Sequence, residues 1–464
     1  MAYTLFNHQK ELLRLVTQHD NFLVLAEVGT GKTLPMLIHM SNLLLAGEIE
    51  TILIVAPMSG LGAWSRDIDL LSSDRQRLLR DAITLINYDK LSRKTSKYQK
   101  EIWRDWDFIL LDEGHAICNP TSNRTKYFVG NAKSAGLNTR SQYRYLLTGT
   151  LITNSRLQDA WGPLKFILPT YLAYRDFKHR YLVTRNLPGS YAEIIVGYRN
   201  SQELLDFIAQ HSYRILKKDC LDLPEQLPDE VITVPFPQTK NKAPFNKSSD
   251  DLYTEALDAY VSSIDKVADN PLTRMLLLRQ IASGHIKEAD GRTVDGKLVK
   301  GETYTLNTDK VKYLMELVQN NLPNKTVVFY QFTHSCDAIT KALDKAKIKY
   351  LVLNGATKDK NCWKEFQADD GIKVFVVQYQ SGSSAIDLFS ASYTIYFEPT
   401  NSSNLLEQSR ARTHRNGQKQ TCNYVFLLTE NTIEVDMYDT LCKHTDFTEK
   451  TYREIARLRL EKRL

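Results

Sequence analysis

The segment AEVGTGKT at residues 26–33 places two glycines, a lysine and a threonine directly after the apolar run FLVL. It is followed by LPMLIHMSNLLL, an apolar stretch typical of a helix. A turn between a strand and a helix points successive backbone N–H groups at a phosphate bound to the helix N-terminus. Lys32 is then expected to reach the β- and γ-phosphate oxygens of a nucleotide, and the Thr33 hydroxyl to bind Mg²⁺. The alternative is a chance glycine turn, which this strand–helix context disfavours.

A second candidate for phosphate chemistry is FILLDEGH at residues 108–115, where two carboxylates end an apolar run. Asp112 is predicted to hold the Mg²⁺, and Glu113 to orient or deprotonate the water that attacks the γ-phosphate. A carboxylate pair at a strand end can instead cap a helix. Because a phosphate loop is present elsewhere in the chain, the catalytic interpretation is favoured.

A third candidate is QSRARTHRNGQ at residues 408–418, which carries three arginines among polar residues. Such a stretch is usually a solvated face or a general phosphate-attracting patch, and that interpretation stays open from spacing alone. A phosphate held elsewhere in the chain supplies a different reason for guanidinium groups. Arg412 and Arg415 are predicted to meet the γ-phosphate when two lobes close, as an arginine finger does.

These residues need a scaffold, and short apolar runs alternating with helical stretches indicate a parallel α/β sheet. Five runs in the first part of the chain are predicted to be strands: FLVLA at 22–26, TILIVAP at 51–57, AITLINY at 82–88, FILLDE at 108–113 and YRYLLTGT at 143–150. The strands return near the end as KTVVFYQF at 325–332, KYLVLNG at 349–355, IKVFVVQY at 372–379, SYTIYFEP at 392–399 and NYVFLL at 423–428. The prediction is two parallel-sheet lobes in tandem.

The domain boundaries follow from this rhythm. Residues 1–170 are predicted to form the ATP-binding lobe and residues 306–440 the second lobe. Residues 171–305 are predicted to be a helical insertion and linker, since the strand pattern is lost there, and residues 441–464 a basic C-terminal helix. With 464 residues, 42% of them hydrophobic, the chain is long enough for two such cores.

Composition and hydropathy disfavour several classes of protein. The longest apolar runs are far below the roughly 18 residues of a membrane span, and the N-terminus lacks a signal-peptide pattern. We therefore expect no membrane partner and an intracellular location: the cytoplasm or nucleoid of a bacterial or phage-infected cell, or the nucleus of a eukaryote. The six cysteines show no metal-ligand spacing, and a net charge of +6 permits a polyanionic partner without requiring one.

Taken in order, the motifs resemble the two-lobed motor core of superfamily 2 helicases, and more narrowly the Swi2/Snf2-like branch of double-stranded DNA translocases. The resemblance extends over nearly the whole chain. It includes FNHQ at 6–9, IVAPMSGLGAW at 54–64, LTGT at 147–150 and SGSSAIDLFSASYTIYFEP at 381–399, besides the three segments above. It implies two RecA-like lobes, with ATP and Mg²⁺ as cofactors and duplex, forked or branched DNA as the partner, and we expect a monomer.

The resemblance also assigns residues. Those expected at the ATP are Gln9, Glu27, Val28, Gly29, Thr30, Gly31, Lys32, Thr33 and Gln408. Those expected to couple the nucleotide state to the grip on DNA are His115, Thr148, Gly149, Thr150 and Asp387. Those expected to contact DNA are Ser59, Asn87, Tyr88, Arg124 and Lys126, each of which could equally be an ordinary surface residue.

The sequence departs from the family pattern at four positions. Ala26 replaces the usual first glycine of the phosphate loop, and Leu151 stands where proline is common. Cys118 stands where relatives tend to carry lysine, and Asp387 occupies a position where the family favours asparagine.

The predicted function is an ATP-dependent motor that moves on duplex or branched DNA and unwinds or migrates junctions in replication, recombination or repair. Two alternatives remain open. One is a translocase that strips proteins from duplex DNA without separating strands, and the other is a nucleotide-gated DNA-binding scaffold. The complete set of Lys32, Asp112, Glu113 and Arg415 disfavours the scaffold, because a protein that does not hydrolyse ATP has no need of them.

Overall fold

The computed structural model describes a large part of the chain in several ranges. They are residues 4–58, 60–92, 97–152, 156–186, 193–220, 222–263, 271–288, 291–292, 298–299, 301–382, 386–448, 451 and 455. The chain divides into two compact units, Met1–Asp222 and Leu223–Leu464, and each is described by itself. No helix within the described ranges is long and apolar enough to cross a membrane.

The first unit is built on a six-stranded parallel sheet in the order β3-β2-β4-β5-β1-β8, and a separate antiparallel ribbon of two strands, β6 and β7. Its strands are β1 Asn21–Ala26, β2 Ile52–Ala56, β3 Ile83–Asn87, β4 Trp106–Asp112, β5 Ser141–Thr148, β6 Leu182–Asn186, β7 Glu193–Tyr198 and β8 Ser212–Ile215. Its helices are α1 Asn7–Gln18, α2 Thr33–Ala46, α3 Leu61–Ile68, α4 Ser73–Ala82, α5 Tyr88–Ser92, α6 Lys97–Ile102, α7 Asn123–Val129, α8 Trp161–Ile167, α9 Tyr174–Tyr181, α10 Ser201–Gln210 and α11 Lys217–Cys220. Short 3-10 helices lie at Gly114–Ile117, Leu137–Arg140 and Leu157–Ala160.

All five strands predicted in the first part of the chain are confirmed. The central strands β2 and β4 are almost continuously apolar because the sheet is covered on both faces, and alternate residues enter two separate cores. Parallel strands expose their carboxyl ends at one edge, so the ends of β1, β4 and β5 come together there. That edge carries the phosphate loop, the DEGH segment and LTGT.

The second unit repeats this plan with a parallel sheet in the order β15-β16-β14-β17-β18-β9. Its strands are β9 Glu230–Val234, β10 His285–Lys287, β11 Gly291–Arg292, β12 Leu298–Val299, β13 Thr303–Thr305, β14 Thr326–Tyr330, β15 Tyr350–Leu353, β16 Val374–Gln378, β17 Tyr393–Tyr396 and β18 Asn423–Thr429. Outside the main sheet, β10 pairs with β13 and β11 pairs with β12. Its helices are α12 Ser249–Ser263, α13 Pro271–Ala282, α14 Lys310–Asn321, α15 Thr333–Lys345, α16 Cys362–Ala368, α17 Tyr379–Gly382, α18 Ser403–Thr413 and α19 Ile433–Cys442. The five strands predicted in this part are confirmed, and with the first sheet they establish the two-lobed α/β fold.

The segment 171–305 is not purely helical. Strand β8 extends the first sheet beside β1, and β9 extends the second sheet beside β18, so the change from one unit to the other falls between Asp222 and Leu223. Both strands are short and partly polar because they lie at sheet edges, which hides them from a search for apolar runs. Most of the predicted C-terminal basic helix lies outside the described residues.

Candidate nucleotide site and arginine helix

The phosphate loop joins the end of β1 to the start of α2. Gly29 and Gly31 have φ angles of 93° and 74°, a left-handed conformation that glycine adopts without a steric penalty. The Thr30 hydroxyl donates to the carbonyl of Glu27 at 2.9 Å, which tightens the turn. Ala26, at the family's usual glycine position, is a fully buried strand residue opposite Ile215. The loop therefore leads directly into the N-terminus of a 14-residue helix.

Helix α1 holds the loop from outside. The Gln9 side-chain amide donates to the Gly31 carbonyl at 2.9 Å, and His8 Nε2 lies 2.8 Å from the Thr30 carbonyl. A Cβ atom at Gly31 would lie 2.5 Å from the Gln9 amide nitrogen, so only glycine allows this approach. Gln9, predicted to contact ATP, is here a buried residue that fixes the loop. Sequence reasoning missed His8, although it is adjacent to Gln9 in the same motif.

Glu27, another predicted ATP contact, is held by the polypeptide itself. Its carboxylate accepts the backbone N–H of Lys217 at 2.8 Å, and its own N–H donates to the carbonyl of Ile215 at 3.0 Å. The segment after β8 is thereby attached to the loop. This position favours a role in shaping the loop.

Lys32 lies beside both carboxylates of the DEGH segment. Its Nζ is 3.2 Å from Glu113 Oε1 and 4.0 Å from Asp112 Oδ1. All three side chains are less than one fifth exposed, so their charges are only weakly screened by water. The structure thus brings together the lysine and the carboxylate pair that the sequence separates by 80 positions.

The Asp112 carboxylate is held by two hydrogen bonds. Oδ2 accepts the indole N–H of Trp64 at 2.9 Å, and Oδ1 accepts the backbone N–H of Glu113 at 3.0 Å. The Tyr88 hydroxyl donates to the backbone carbonyl of Asp112 at 2.8 Å. Burial raises the pKa of Asp112, while the positive charge of Lys32 opposes that rise. Trp64 and Tyr88 are therefore positioning residues for Asp112; Trp64 was not assigned to the site from the sequence, and Tyr88 was predicted to contact DNA instead.

The pKa of Glu113 is shifted in the opposite direction from that of Asp112. Burial alone would raise its pKa, but attraction to Lys32 and a hydrogen bond from His115 outweigh burial and hold the pKa well below its usual range. His115 Nδ1 lies 3.3 Å from Glu113 Oε2. The backbone of Glu113 is left-handed, with φ of 51°, which turns the chain sharply after β4. Glu113 is therefore an ionised carboxylate at neutral pH.

Among the predicted coupling residues of the first unit, His115 contacts this carboxylate directly and Thr148 contacts His115. His115 Nδ1 also lies 3.2 Å from the Thr148 hydroxyl, which itself donates to the Thr150 carbonyl at 2.9 Å. Gly149 follows β5 beside the phosphate loop, where an added Cβ would lie 3.5 Å from the Ala26 carbonyl. Three strand ends are consequently joined through a few side chains.

The sequence signal for that junction includes Gly114. A Cβ atom at this position would lie 2.1 Å from Leu146 Cγ, within β5, so a side chain would force the DEGH turn away from the sheet. The DEGH turn thus carries a packing requirement at Gly114 in addition to its carboxylate chemistry.

The donor set fits a nucleotide with Mg²⁺. The loop offers backbone N–H groups at a helix N-terminus, Lys32 offers a cation, and Thr33 and Asp112 offer the hard oxygen ligands that Mg²⁺ prefers. Asp112 and Glu113 present two carboxylates to one lysine, an excess of negative charge that a divalent cation would balance.

The candidate DNA contacts are mixed. Ser59 lies outside the described residues. Asn87 and Tyr88 are 2% and 3% exposed, and this burial does not support the predicted contact with DNA. Arg124 donates to the Ser92 hydroxyl and to Asp89, each at 2.9 Å, whereas Lys126 is exposed on α7. Lys126 is thus the most accessible of the described candidates.

The arginine helix α18 carries two of the three arginines, and their surroundings differ. Arg410 donates to Asp229 Oδ2 at 2.6 Å and lies over the ring of Tyr424, 5.0 Å from its centre. Arg412 is 7% exposed, and its carbonyl accepts the N–H of Leu388. Gln408, predicted to contact ATP, hydrogen-bonds Asn404 one turn earlier at 3.3 Å.

Arg415 lies just beyond α18 and forms an ion pair with Asp387. Its guanidinium also donates to the Ile386 carbonyl at 3.3 Å. Both side chains of the pair are about one fifth exposed. The predicted finger and the predicted coupling residue of the second unit are therefore direct partners, and the pair exists only because aspartate occupies the position where asparagine is expected.

Two further residues of the segment organise it. Gln418 is buried, and its amide donates to the carbonyls of Ala391 and Thr413 at 2.9 and 3.2 Å. Its Oε1 accepts two backbone N–H groups. His414 Nε2 lies 2.8 Å from the Pro224 carbonyl. The non-arginine residues of QSRARTHRNGQ thus fix the loop that follows the helix.

Comparison with known proteins agrees with this arrangement. An SNF2-related domain matches residues 69–284, and a helicase conserved C-terminal domain matches residues 309–417. A solved SWI2/SNF2 ATPase core from Sulfolobus solfataricus, in complex with dsDNA, is 21% identical and covers 100% of this chain and 96% of its own, with a TM-score of 0.41.

Several curated relatives are similar over nearly the whole chain. Protein CHROMATIN REMODELING 24 of Arabidopsis thaliana is 23% identical, over 94% of this chain and 45% of the relative. An uncharacterized ATP-dependent helicase of Mycoplasma pneumoniae is 22% identical, over 97% and 42% respectively. DNA repair and recombination protein RDH54 of Saccharomyces cerevisiae is 24% identical, over 85% and 44%. The chain spans about half the length of the curated relatives it matches.

The two matched domains follow one another along the chain: the first contains the DEGH turn, the second ends within QSRARTHRNGQ, and the phosphate loop precedes both. With an SNF2-related domain and a helicase conserved C-terminal domain on two parallel-sheet units, the chain belongs to the SNF2-related branch of the superfamily 2 helicases and translocases.

Proposed function

We propose that the chain is an ATP-dependent motor that moves on duplex or branched DNA and separates or migrates strands at junctions. The observation that carries the proposal is the position of Glu113. Its carboxylate lies between the lysine of the phosphate loop and His115, and His115 in turn contacts Thr148 at the end of β5. A residue placed to act on the attacking water is thereby connected to the segment that would pass on the nucleotide state.

The roles follow from the geometry of the first unit. Lys32 would bind the terminal phosphates, and the lowered pKa of Glu113 keeps its carboxylate ionised and able to orient the attacking water by accepting a hydrogen bond. Thr33 and Asp112 would hold Mg²⁺, whose contribution is to neutralise charge on the phosphate oxygens. Trp64 and Tyr88 hold Asp112 in place for this task. Arg412 and Arg415 of the second unit would complete the charge stabilisation.

DNA is the proposed track because the chain is moderately basic and because several relatives bear names that refer to chromatin or DNA repair. A role in recombination or repair rests on the likeness to RDH54. Such a motor would work in the cytoplasm or nucleoid of a bacterial or phage-infected cell, or in the nucleus of a eukaryote.

The test is an ATPase assay with no nucleic acid and with single strand, linear duplex, fork, four-way junction and RNA. We expect duplex or branched DNA to stimulate turnover most, because motion on the track is coupled to closure of the nucleotide site. Equal rates in all six conditions would contradict the motor function.

Strand displacement on the best substrate then separates the alternatives. Displacement supports a helicase, whereas stimulation by duplex without displacement supports a translocase that removes bound proteins. ATP-dependent DNA binding without turnover would indicate the nucleotide-gated scaffold.

A further inference from the structure

The strands β6 and β7 form a ribbon that, within the described part of the chain, pairs with no other strand. Its register runs from Leu182 opposite Tyr198 to Asn186 opposite Glu193. Four apolar side chains on it are exposed: Val183 (37%), Ile194 (42%), Ile195 (36%) and Val196 (54%). Two-stranded ribbons are marginally stable alone, and clustered exposed apolar side chains usually mark a binding surface.

The base of this ribbon is firmly attached, in contrast to its outer part. Leu182 is buried, and the backbone N–H of Arg199 donates to the carbonyl of Tyr181 at 2.9 Å. The Tyr181 hydroxyl donates to Glu203 on α10 at 2.8 Å, and the Tyr198 hydroxyl donates to Gln158 at 2.7 Å. The ribbon is consequently a projection with a fixed root, able to transmit a force.

The surroundings of the ribbon are basic. The described residues 174–186 and 193–199 contain five lysines and arginines against two acidic residues. Arg185 and Arg199 are exposed on or next to the ribbon, and Arg175 on α9 is exposed by 83% of its side chain. On α9, Lys178 forms an ion pair with Glu193 that holds the ribbon to the helix, and Arg175 and Arg180 form ion pairs with Asp176 and Glu203. The exposed positive charge of the ribbon itself is then that of Arg185 and Arg199. The partner should therefore be anionic and should also offer apolar surface.

We propose, building on the proposed motor function, that this ribbon docks at the point where duplex DNA opens and acts as the wedge that separates the strands. Within an intact duplex the phosphates are accessible while the base faces are stacked, so Ile194, Ile195 and Val196 meet apolar surface only where bases are unpaired. Aliphatic side chains of this kind insert between base steps in other DNA complexes. Arg185 and Arg199, the exposed arginines on and next to the ribbon, bind the flanking phosphates.

The dimensions agree with this role. Two paired strands lie about 4.8 Å apart, so a ribbon with its side chains is narrow enough to stand between two separated single strands. A β-ribbon is also stiffer than a loop, because cross-strand hydrogen bonds hold both chains.

A chain of contacts links the ribbon to the nucleotide site. Gln158, the partner of Tyr198, lies in the 3-10 helix that leads into α8. Gly162 of α8 packs so closely on the turn after DEGH that an added Cβ would lie 2.0 Å from the Ile117 carbonyl. A displacement of the DEGH turn is thereby transmitted to the root of the ribbon.

The test compares Ile194→Thr/Ile195→Thr/Val196→Thr with the control Val231→Thr, which changes an exposed valine in β9 of the second unit. Threonine keeps the β-branched shape that strands favour and removes the apolar surface. We expect the rate of strand displacement on a fork to fall by at least about tenfold in the triple variant, because the loss of one contact with a base weakens binding by about that factor. ATPase stimulation by linear duplex should stay within about twofold, which also demonstrates that the variant is folded. Unchanged displacement in the triple variant, or equal loss in the control, overturns the proposal.

A second measurement does not depend on activity. Ile195→p-benzoylphenylalanine is irradiated with a fork, a flush duplex, or vesicles of mixed phosphatidylglycerol and phosphatidylcholine. Cross-links confined to nucleotides at the fork junction support the wedge. Cross-links along the flush duplex, cross-links to lipid, or none with any probe contradict it. If linear duplex fails to stimulate the unaltered protein, the motor function itself fails; if it stimulates but no fork opens, only the wedge is overturned.

Discussion

The nucleotide site of the first unit and the arginine helix of the second use ion pairs in different ways. In the first unit, Lys32 contacts two carboxylates, and Glu113 is also bonded to His115, so every group is already in place for a ligand. In the second unit, Arg410 lies over an aromatic ring and is bound to Asp229, whose side chain is 12% exposed, whereas Arg415 pairs with Asp387, whose side chain is 21% exposed. The contrast predicts that Arg410 has a fixed structural role and that Arg415 can exchange Asp387 for another partner.

The largest effect is expected at Glu113. Glu113→Gln keeps the size and one hydrogen-bonding oxygen but removes the carboxylate, so turnover should fall by about 10² to 10⁴ while ATP binding persists. Steady-state ATPase and fluorescent-nucleotide titration measure the two quantities. Glu101→Gln, an exposed carboxylate on α6, is the matched control. A variant that still turns over at the normal rate would remove Glu113 from the mechanism.

Arg410 and Arg415 provide a direct test of the contrast. Arg410→Ala removes the guanidinium partner of Asp229, a carboxylate that is largely buried. We expect the free energy of unfolding of the second unit to fall by about 3 kcal/mol. Arg415→Ala should cost less than about 1 kcal/mol, because its pair is more exposed, and should instead lower turnover by 10-fold or more, on the order of 10³ for a true finger.

Urea unfolding followed beside ATPase rates measures both effects in the same preparations. If Arg415→Ala destabilised the unit as much as Arg410→Ala and left turnover unchanged, both arginines would be structural.

A smaller change is expected at Asp387. Asp387→Asn removes the charge that holds Arg415, and an ion pair of this exposure contributes up to about 1 kcal/mol, equivalent to about fivefold. ATPase without DNA should therefore rise by up to that factor, so that the stimulation by DNA becomes smaller. Asp370→Asn, whose carboxylate is exposed by 96%, is the control. An unchanged ratio of stimulated to basal rate would indicate that the pair does not restrain Arg415.

A further effect concerns the dependence of stability on pH and compares the cores of the two units. Burial lowers the pKa of His39 to about 4 in the first unit and that of His285 to about 3 in the second. Because the unfolded chain binds protons near pH 6.5 and the folded chain does not, stability is greatest above that pH and declines as the pH falls toward the folded pKa. Between pH 7.5 and 5.5 each histidine should cost about 1.4 kcal/mol.

Unfolding free energies at those two pH values, for the unaltered chain and for His39→Gln, measure the first contribution. The difference in unfolding free energy between pH 7.5 and 5.5 should be smaller by about 1.4 kcal/mol in the variant. An equal pH dependence in both proteins would show that folding does not lower the pKa of His39.

Much of the fold was predictable because its central strands are buried on both faces. A strand buried on both faces is continuously apolar, so runs such as ILIVA and VFVV can be recognised as strands from the sequence. The edge strands β8 and β9 are short and half polar, and their pairing depends on partners far away in the chain. No local pattern could indicate that the division between the units falls at Asp222.

The candidate site shows the same division. Lys32, Asp112 and Glu113 could be predicted from motifs, since phosphate chemistry demands those residue types after strands. Trp64, Tyr88 and His8 could not, because their value lies in a single hydrogen bond to a residue distant in sequence. Asn87 and Tyr88 were predicted to contact DNA, yet both side chains are buried, Tyr88 in the core and Asn87 against Met58 and the Lys90 backbone, and side-chain direction at a strand end depends on the neighbouring elements.

By itself the sequence determined the chemical groups and the order in which strands present them, because strand periodicity and the phosphate-binding turn are local properties of the chain. The tertiary structure alone decided how the charges pair: Lys32 with both carboxylates, Arg410 with Asp229, and Arg415 with Asp387. Ion pairs act over a few ångströms between residues up to 181 positions apart, and only folding brings such residues together.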